Sequence, residues 1–281
     1  MFFERSFTAG GPAGPHDIAY SEFAGDPNRT VICVHGLSRN GRDFDWLARA
    51  LADDGHRVIC PDMPGRNRSK PLSNPLHYNN PQYAHDCLAL LAHLGVDQVD
   101  WVGTSMGGLI AMIIASQPHH PIRRLVINDI GPFITRESLI DIKTYVGRNP
   151  VFNTWADYYE AFKIRMATFD LDNDEQAQYL AMTSLETLKD GTFRLAYDTD
   201  IVAGLSLAKE LTDIDLWPLW ALVNVPTLIY RGADSAILSA ETLDKMTVGK
   251  NDIKTITFPN VGHAPALMSQ AQIQPIREFL R

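Results

Sequence analysis

The pentapeptide Gly103-Thr104-Ser105-Met106-Gly107 constrains this chain more than any other stretch. It follows an apolar run, Val99 to Val102, and precedes the helix-like run Gly108-Leu109-Ile110-Ala111. A G-x-S-x-G pattern between a strand and a helix marks a tight turn that lifts a serine hydroxyl clear of a sheet edge. The positions two before and two after the serine must carry little or no side chain there, and Gly103 and Gly107 meet that demand. The first N–H groups of the following helix lie beneath the serine, ready to receive negative charge.

The rest of the chain provides the sheet that such a turn requires. Val31-Ile32-Cys33-Val34 is continuously apolar, as a parallel strand buried on both faces should be, and Arg57-Val58-Ile59-Cys60 and Leu125-Val126-Ile127 are expected to be further strands. Ile18 to Phe23 is expected to be a further strand, and Asp43–Ala52 and Tyr83–Leu94 have helical spacing. Strand and helix alternating at short intervals imply a parallel sheet with right-handed crossovers. Residues 133 to 222 break the rhythm, with no convincing buried strand and a series of helices instead. They hold 13 of the 26 aromatic residues and −7 of the formal net charge of −8. The strand pattern resumes at Thr227-Leu228-Ile229-Tyr230 and Ile253 to Phe258, and the chain finishes in a helix-like run, Ile273 to Leu280. One core made of 1–132 and 223–281, carrying 133–222 as an inserted helical lid, is therefore expected.

Composition narrows the class of protein. The 281 residues, 45% hydrophobic and 21% charged, are those of an ordinary globular chain. A net charge of −8 opposes binding to nucleic acid or anionic membranes. No apolar run approaches a membrane span, and Met1-Phe2-Phe3-Glu4-Arg5 lacks the basic and apolar segments of a secretion signal. Cys33, Cys60 and Cys87 all lie in apolar runs and read as reduced core residues. A cytoplasmic location is the expectation, with a small molecule as partner.

A serine hydroxyl needs a base, and the base an orienting acid, in the chain order Ser, acid, His. His263, in Asn260-Val261-Gly262-His263-Ala264-Pro265, lies just beyond the last strand and is the expected base. Asp234, after the strand ending at Tyr230, is the expected acid, and Asp129, after the strand before the lid, is the alternative. The oxyanion donors are expected to be the N–H of Met106 and that of Leu37, in the loop His35-Gly36-Leu37. His35 is expected to hold that loop rather than act as a base. Arg39 is a possible contact for a substrate carboxylate. Arg66, Arg68 and Lys70 are expected to be a solvated basic cluster. Asp170-Leu171-Asp172-Asn173-Asp174-Glu175 starts like a calcium loop, but Glu175 stands where glycine belongs and Ala181 where the bidentate glutamate belongs. No metal or organic cofactor is expected.

Together, His35-Gly36, Asp62-Met63-Pro64-Gly65-Arg66-Asn67-Arg68-Ser69, the Ser105 turn, Asp234 and Gly262-His263 resemble the α/β-hydrolase superfamily, in the right order and over nearly the whole chain. The resemblance implies an α/β fold with an eight-stranded, mostly parallel sheet and a helical cap after the sixth strand. It also implies a serine-nucleophile, carboxylesterase-like activity. Ser105 departs from members with an acidic nucleophile, and His35-Gly36-Leu37-Ser38-Arg39 departs from those with a glycine-rich loop. The expected reaction is cleavage of an ester of a small to medium, largely apolar substrate. The alternatives are C–C bond hydrolysis or lactone opening by the same residues, or ligand reception without turnover. Most of the lid aromatics, Phe152, Trp155, Tyr158, Tyr159 and Phe162 with Trp217 and Trp220, are expected to make the lid's own core, and part of that apolar surface is expected to roof a pocket whose acidic surroundings disfavour anionic acyl groups.

Overall fold

A computed structural model of the chain describes residues 1–208 and 210–281. The first half supplies strands β1 (Phe2–Ala9), β2 (His16–Phe23), β3 (Asp26–Val34), β4 (His56–Pro61), β5 (Val99–Thr104) and β6 (Ile122–Asn128). Helices α1 (Asp45–Asp53), α2 (Asn80–His93) and α3 (Met106–Ala115) connect them. The insertion then runs β7 (Phe133–Ile134), α4 (Arg136–Val146), α5 (Trp155–Met166), α6 (Asp174–Thr183), β8 (Leu185–Thr187), β9 (Phe193–Leu195), α7 (Ala203–Leu207), β10 (Ile214–Asp215) and α8 (Trp217–Leu222). The chain closes with β11 (Thr227–Gly232), α9 (Ala240–Thr247), β12 (Ile253–Phe258) and α10 (Gln270–Phe279).

Eight strands form one sheet in the order β1-β2-β4-β3-β5-β6-β11-β12. The pairs β1–β2 and β2–β4 are antiparallel and every other pair is parallel. The central strands are buried on both faces, which is why they read as unbroken apolar runs. Successive side chains alternate between two cores: Ile32, Val34 and Trp101 face α2 and α3, whereas Val31, Cys33 and Val102 face α1 and α10. The strand β1 carries no such signal. Most of its residues are exposed, so no alternation marks it, and it is held as an edge by its pairing with β2.

Helix starts follow local chemistry. Asn79 accepts a hydrogen bond from Gln82 N–H with a proline in the first turn of α2, and Thr154 and Asn173 cap α5 and α6 in the same way. The insertion is not purely helical, contrary to the sequence pattern. The short pairs β7–β10 and β8–β9 hold its ends and its middle together. With two or three residues each, they are too short to show a period. The insertion sits on the carboxyl ends of the sheet strands. Asn67 N–H donates to Ala196 O, Asp198 N–H to Gly65 O, and Gly262 N–H to Thr168 O. No helix among the described residues is long and apolar enough to cross a membrane.

Candidate active site

Ser105 stands between β5 and α3 with φ +50° and ψ −111°, a conformation that L-residues rarely adopt. The surrounding contacts hold it there. Ser105 N–H donates to Asn128 O at 2.9 Å, and Ser105 O accepts from Gly108 N–H at 2.9 Å. The two flanking glycines are required by close approach. A Cβ at Gly103 would lie 2.4 Å from Gly107 C, and one at Gly107 would lie 1.9 Å from Val34 O. Trp101, fully buried, donates its indole N–H to Gly107 O at 3.1 Å and steadies the turn from below.

His263 comes from the loop after β12, and its Nε2 lies 2.9 Å from Ser105 Oγ. Its Nδ1 lies 2.7 Å from Asp129 Oδ2. The acid on this histidine is therefore Asp129, and the expectation of Asp234 is corrected. Asp129 is wholly buried, directly after β6, and its other oxygen accepts from Gly232 N–H at 2.9 Å. Asp234 lies in an exposed turn after β11 and lines the same cavity, but His263 is held by Asp129. Sheet order explains the choice. β6 adjoins β5, which carries Ser105, whereas β11 is one strand further, about 4.8 Å more per strand. Beyond Gly232 the chain also turns towards β12, with Ala233 N–H on Phe258 O and Asp234 N–H on Val261 O.

The loop after β3 lies against the serine. A Cβ at Gly36 would lie 3.7 Å from Ser105 Cβ. Neither Leu37 N–H nor Met106 N–H takes an acceptor among the described residues. His35 is buried beneath this loop, with Nδ1–H donating to Gly36 O at 2.7 Å and Nε2 accepting from Met63 N–H at 2.9 Å. Burial holds its ring far below the ordinary value, at about 3, so it stays neutral and keeps both bonds. It is a brace, as its position in the sequence implied.

Two arginines depart from their sequence-based reading, and a third was given none. Arg66 is wholly buried, not solvated. Its Nε donates to Leu37 O at 2.9 Å, its Nη1 to Tyr83 Oη at 2.8 Å and to Pro64 O at 2.6 Å, and its Nη2 lies 3.6 Å from Met106 Sδ. Lys70, by contrast, is exposed and pairs with Asp17 at 2.9 Å. Arg39 borders the cavity, but Asp43 holds it bidentately, at 2.8 and 2.6 Å. Arg165, on α5, reaches the same cavity and was not singled out from the sequence. The signal was present: Tyr158, Phe162 and Arg165 recur at helical spacing, so the face that brings the aromatics inward brings the arginine too.

The cavity above Ser105 has a volume of about 630 Å³. Phe152, Tyr158, Phe162 and Leu180 of the insertion line it opposite Ser105 and His263. Trp155 and Trp220 do not. Trp155 stacks on Tyr159 at 5.6 Å, and Trp220 is buried with its indole N–H on Met246 O at 3.1 Å. Asn173 and Asp174, in the calcium-loop look-alike, cap α6 and bind Tyr159 respectively. No cluster of three or more metal-ligating side chains occurs among the described residues.

Known proteins resemble this chain in sequence and fold. The model of the α/β hydrolase fold matches residues 29–267. The 3-hydroxybutyrate-oligomer hydrolase of Cupriavidus necator is 38% identical over 277 residues, covering 95% of this chain and 94% of that protein. A solved structure of a putative hydrolase from Rickettsia typhi superposes with a TM-score of 0.90 at 32% identity, over 100% of this chain and 98% of that one. An α/β hydrolase from Novosphingobium aromaticivorans does so with a TM-score of 0.87 at 34% identity, over 99% and 98%. With this sheet order, this turn and these relatives, the chain belongs to the α/β-hydrolase fold family.

Proposed function

We propose that the protein is a serine hydrolase that cleaves carboxylic esters through Ser105, His263 and Asp129. The observation that carries this reading is the hydrogen-bond line from Ser105 Oγ through both nitrogens of His263 to a buried carboxylate. Nδ1–H donates to Asp129, which leaves the Nε2 lone pair facing the serine hydroxyl. Nε2 takes the hydroxyl proton as Oγ bonds to the acyl carbon. The carbonyl oxygen becomes an oxyanion, held by the N–H groups of Leu37 and Met106. Collapse of the adduct breaks the ester C–O bond, and the His263 imidazolium protonates the departing alkoxide. Water then gives a proton to Nε2 and attacks the acyl-serine, which releases the acid and restores Ser105. Asp129, which also accepts from Gly232 N–H, holds the imidazole in this orientation.

The name of the Cupriavidus necator relative supports an ester formed between hydroxy acids as the substrate class. A cavity of about 630 Å³ suits a small to medium molecule. The test combines a fluorophosphonate probe with a panel of p-nitrophenyl butyrate, the linear dimer of 3-hydroxybutyrate, a lactone and a β-diketone. Labelling at Ser105 and turnover of the open-chain esters, both abolished in Ser105→Ala, are expected. Turnover of the lactone or diketone alone would move the reaction to ring opening or C–C cleavage. More than a few per cent activity in Ser105→Ala would remove this serine as nucleophile. Tight ligand binding without turnover would make the protein a receptor.

A further inference from the structure

We propose that Arg165 forms an anion subsite in the cavity, selecting esters whose remote end carries a carboxylate; this rests on the ester-hydrolase reading. The cavity holds two guanidinium groups of unequal status. Arg39 is neutralised by Asp43 and lies over the Phe162 ring at 5.4 Å. Arg165 has no carboxylate partner among the described residues. Its side-chain hydrogen bond is from Nη2 to Ser38 Oγ at 3.2 Å. A guanidinium has five N–H donors, so most of the fork is left for a ligand. Its plane is held by the Tyr145 ring, 3.7 Å from the guanidinium carbon. A planar fork held in this way matches a carboxylate better than a mobile ammonium would.

Position supports the same reading. Ser38 follows Leu37, so Arg165 is tied to the loop that lies beside Ser105. Arg165, Tyr145 and Pro150 also border a neighbouring hollow of about 480 Å³, lined further by Asp141, Thr144 and Arg148. The arginine thus stands between the reacting serine and the outer hollow, where the far end of an extended ester emerges. The insertion's acidic excess does not oppose this. All its acidic residues are exposed except Glu186 and Asp198, which are half-buried, so solvent screens most of them. Of the carboxylates that border the cavity and the hollow, Asp43 is paired with Arg39, and Asp234 and Asp141 are exposed.

The test compares the free acid of the 3-hydroxybutyrate dimer with its terminal primary amide, which carries the same single ester bond and lacks the terminal charge. The wild type should favour the acid by roughly 10-fold or more in kcat/KM, the worth of a charged hydrogen-bonded pair. Arg165→Met should abolish that preference, mainly through the KM of the acid. Arg165→Lys should retain part of it, and its melting temperature checks that the fold persists. Calorimetric binding of the acid to Ser105→Ala, with and without Arg165→Met, reads the subsite in the absence of turnover. An unchanged preference in Arg165→Met, or equal binding to both Ser105→Ala proteins, overturns the subsite. Failure of the wild type to cleave either dimer, with Arg165-dependent binding intact, overturns the hydrolase reading instead.

A separate observation concerns Arg66. A wholly buried cation without a carboxylate is costly, and none pairs with Arg66 among the described residues. Its donors brace Leu37 O and approach Met106 Sδ, the two residues offered as oxyanion donors. We infer that Arg66 is a positioning residue for the oxyanion hole, where the developing anion supplies its missing countercharge. Arg66→Lys should lower kcat by roughly 10-fold or more with KM held. It should weaken a trifluoromethyl ketone, bound as an oxyanion adduct, by a similar factor while sparing the plain methyl ketone. Equal loss for both ketones, or a lowered melting temperature with unchanged kcat, overturns the assignment.

Discussion

Two loops at the carboxyl edge of the sheet each carry an aspartate, and only one of the two binds His263. The loop after β6 delivers Asp129 at once, buried, with φ +58° and both oxygens bound. The loop after β11 runs on past Gly232 before Asp234, which stays exposed. Local sequence looks alike at both: an apolar strand, then an aspartate within a few residues of its end. What separates them is strand order, since β6 and not β11 adjoins the strand carrying Ser105. Proximity and burial convert one carboxylate into a support for His263 and leave the other as a rim charge.

The difference can be tested by breaking each loop in turn. Asp129→Asn should cost on the order of 10³ to 10⁴ in kcat, because the amide favours the wrong imidazole tautomer. Steady-state kinetics on p-nitrophenyl butyrate checks this, and a loss smaller than that of Asp234→Asn would reverse the assignment. Gly232→Ala attacks the junction of the two loops. Its Cβ would lie 2.2 Å from Gly262 O and 2.5 Å from Val261 O, so the backbone carrying His263 must shift. A loss of about 1–3 kcal/mol in stability is expected from overpacking, read by urea unfolding, together with reduced kcat. Asp234→Asn should change kcat by no more than a few-fold. Combined with Asp129→Asn it should add nothing beyond that, since the two groups do not share a partner.

Much of the fold was legible because buried parallel strands write themselves as apolar runs. Val31–Val34, Val99–Val102 and Leu125–Ile127 all fall inside observed strands. The exposed edge β1 and the two short strand pairs of the insertion were not legible, because nothing buries one of their faces consistently enough to leave a period. At the site, Ser105 and His263 were marked by glycine-bounded loops at strand ends. Arg66 was hidden, since a charged residue in a polar loop reads as solvated until the fold closes over it.

The sequence by itself determined the turn around Ser105 and the alternation that builds the sheet. These rest on interactions within a few residues: glycine's missing side chain, strand burial and helix capping. Tertiary structure alone decided which aspartate meets His263, and that Arg165 joins Ser38 at the cavity with no carboxylate partner among the described residues. Those outcomes depend on pairings across 134 residues for His263 and Asp129 and 127 for Arg165 and Ser38. Strand order and helix facing settle contacts at that range, and neither is written in any local stretch of the chain.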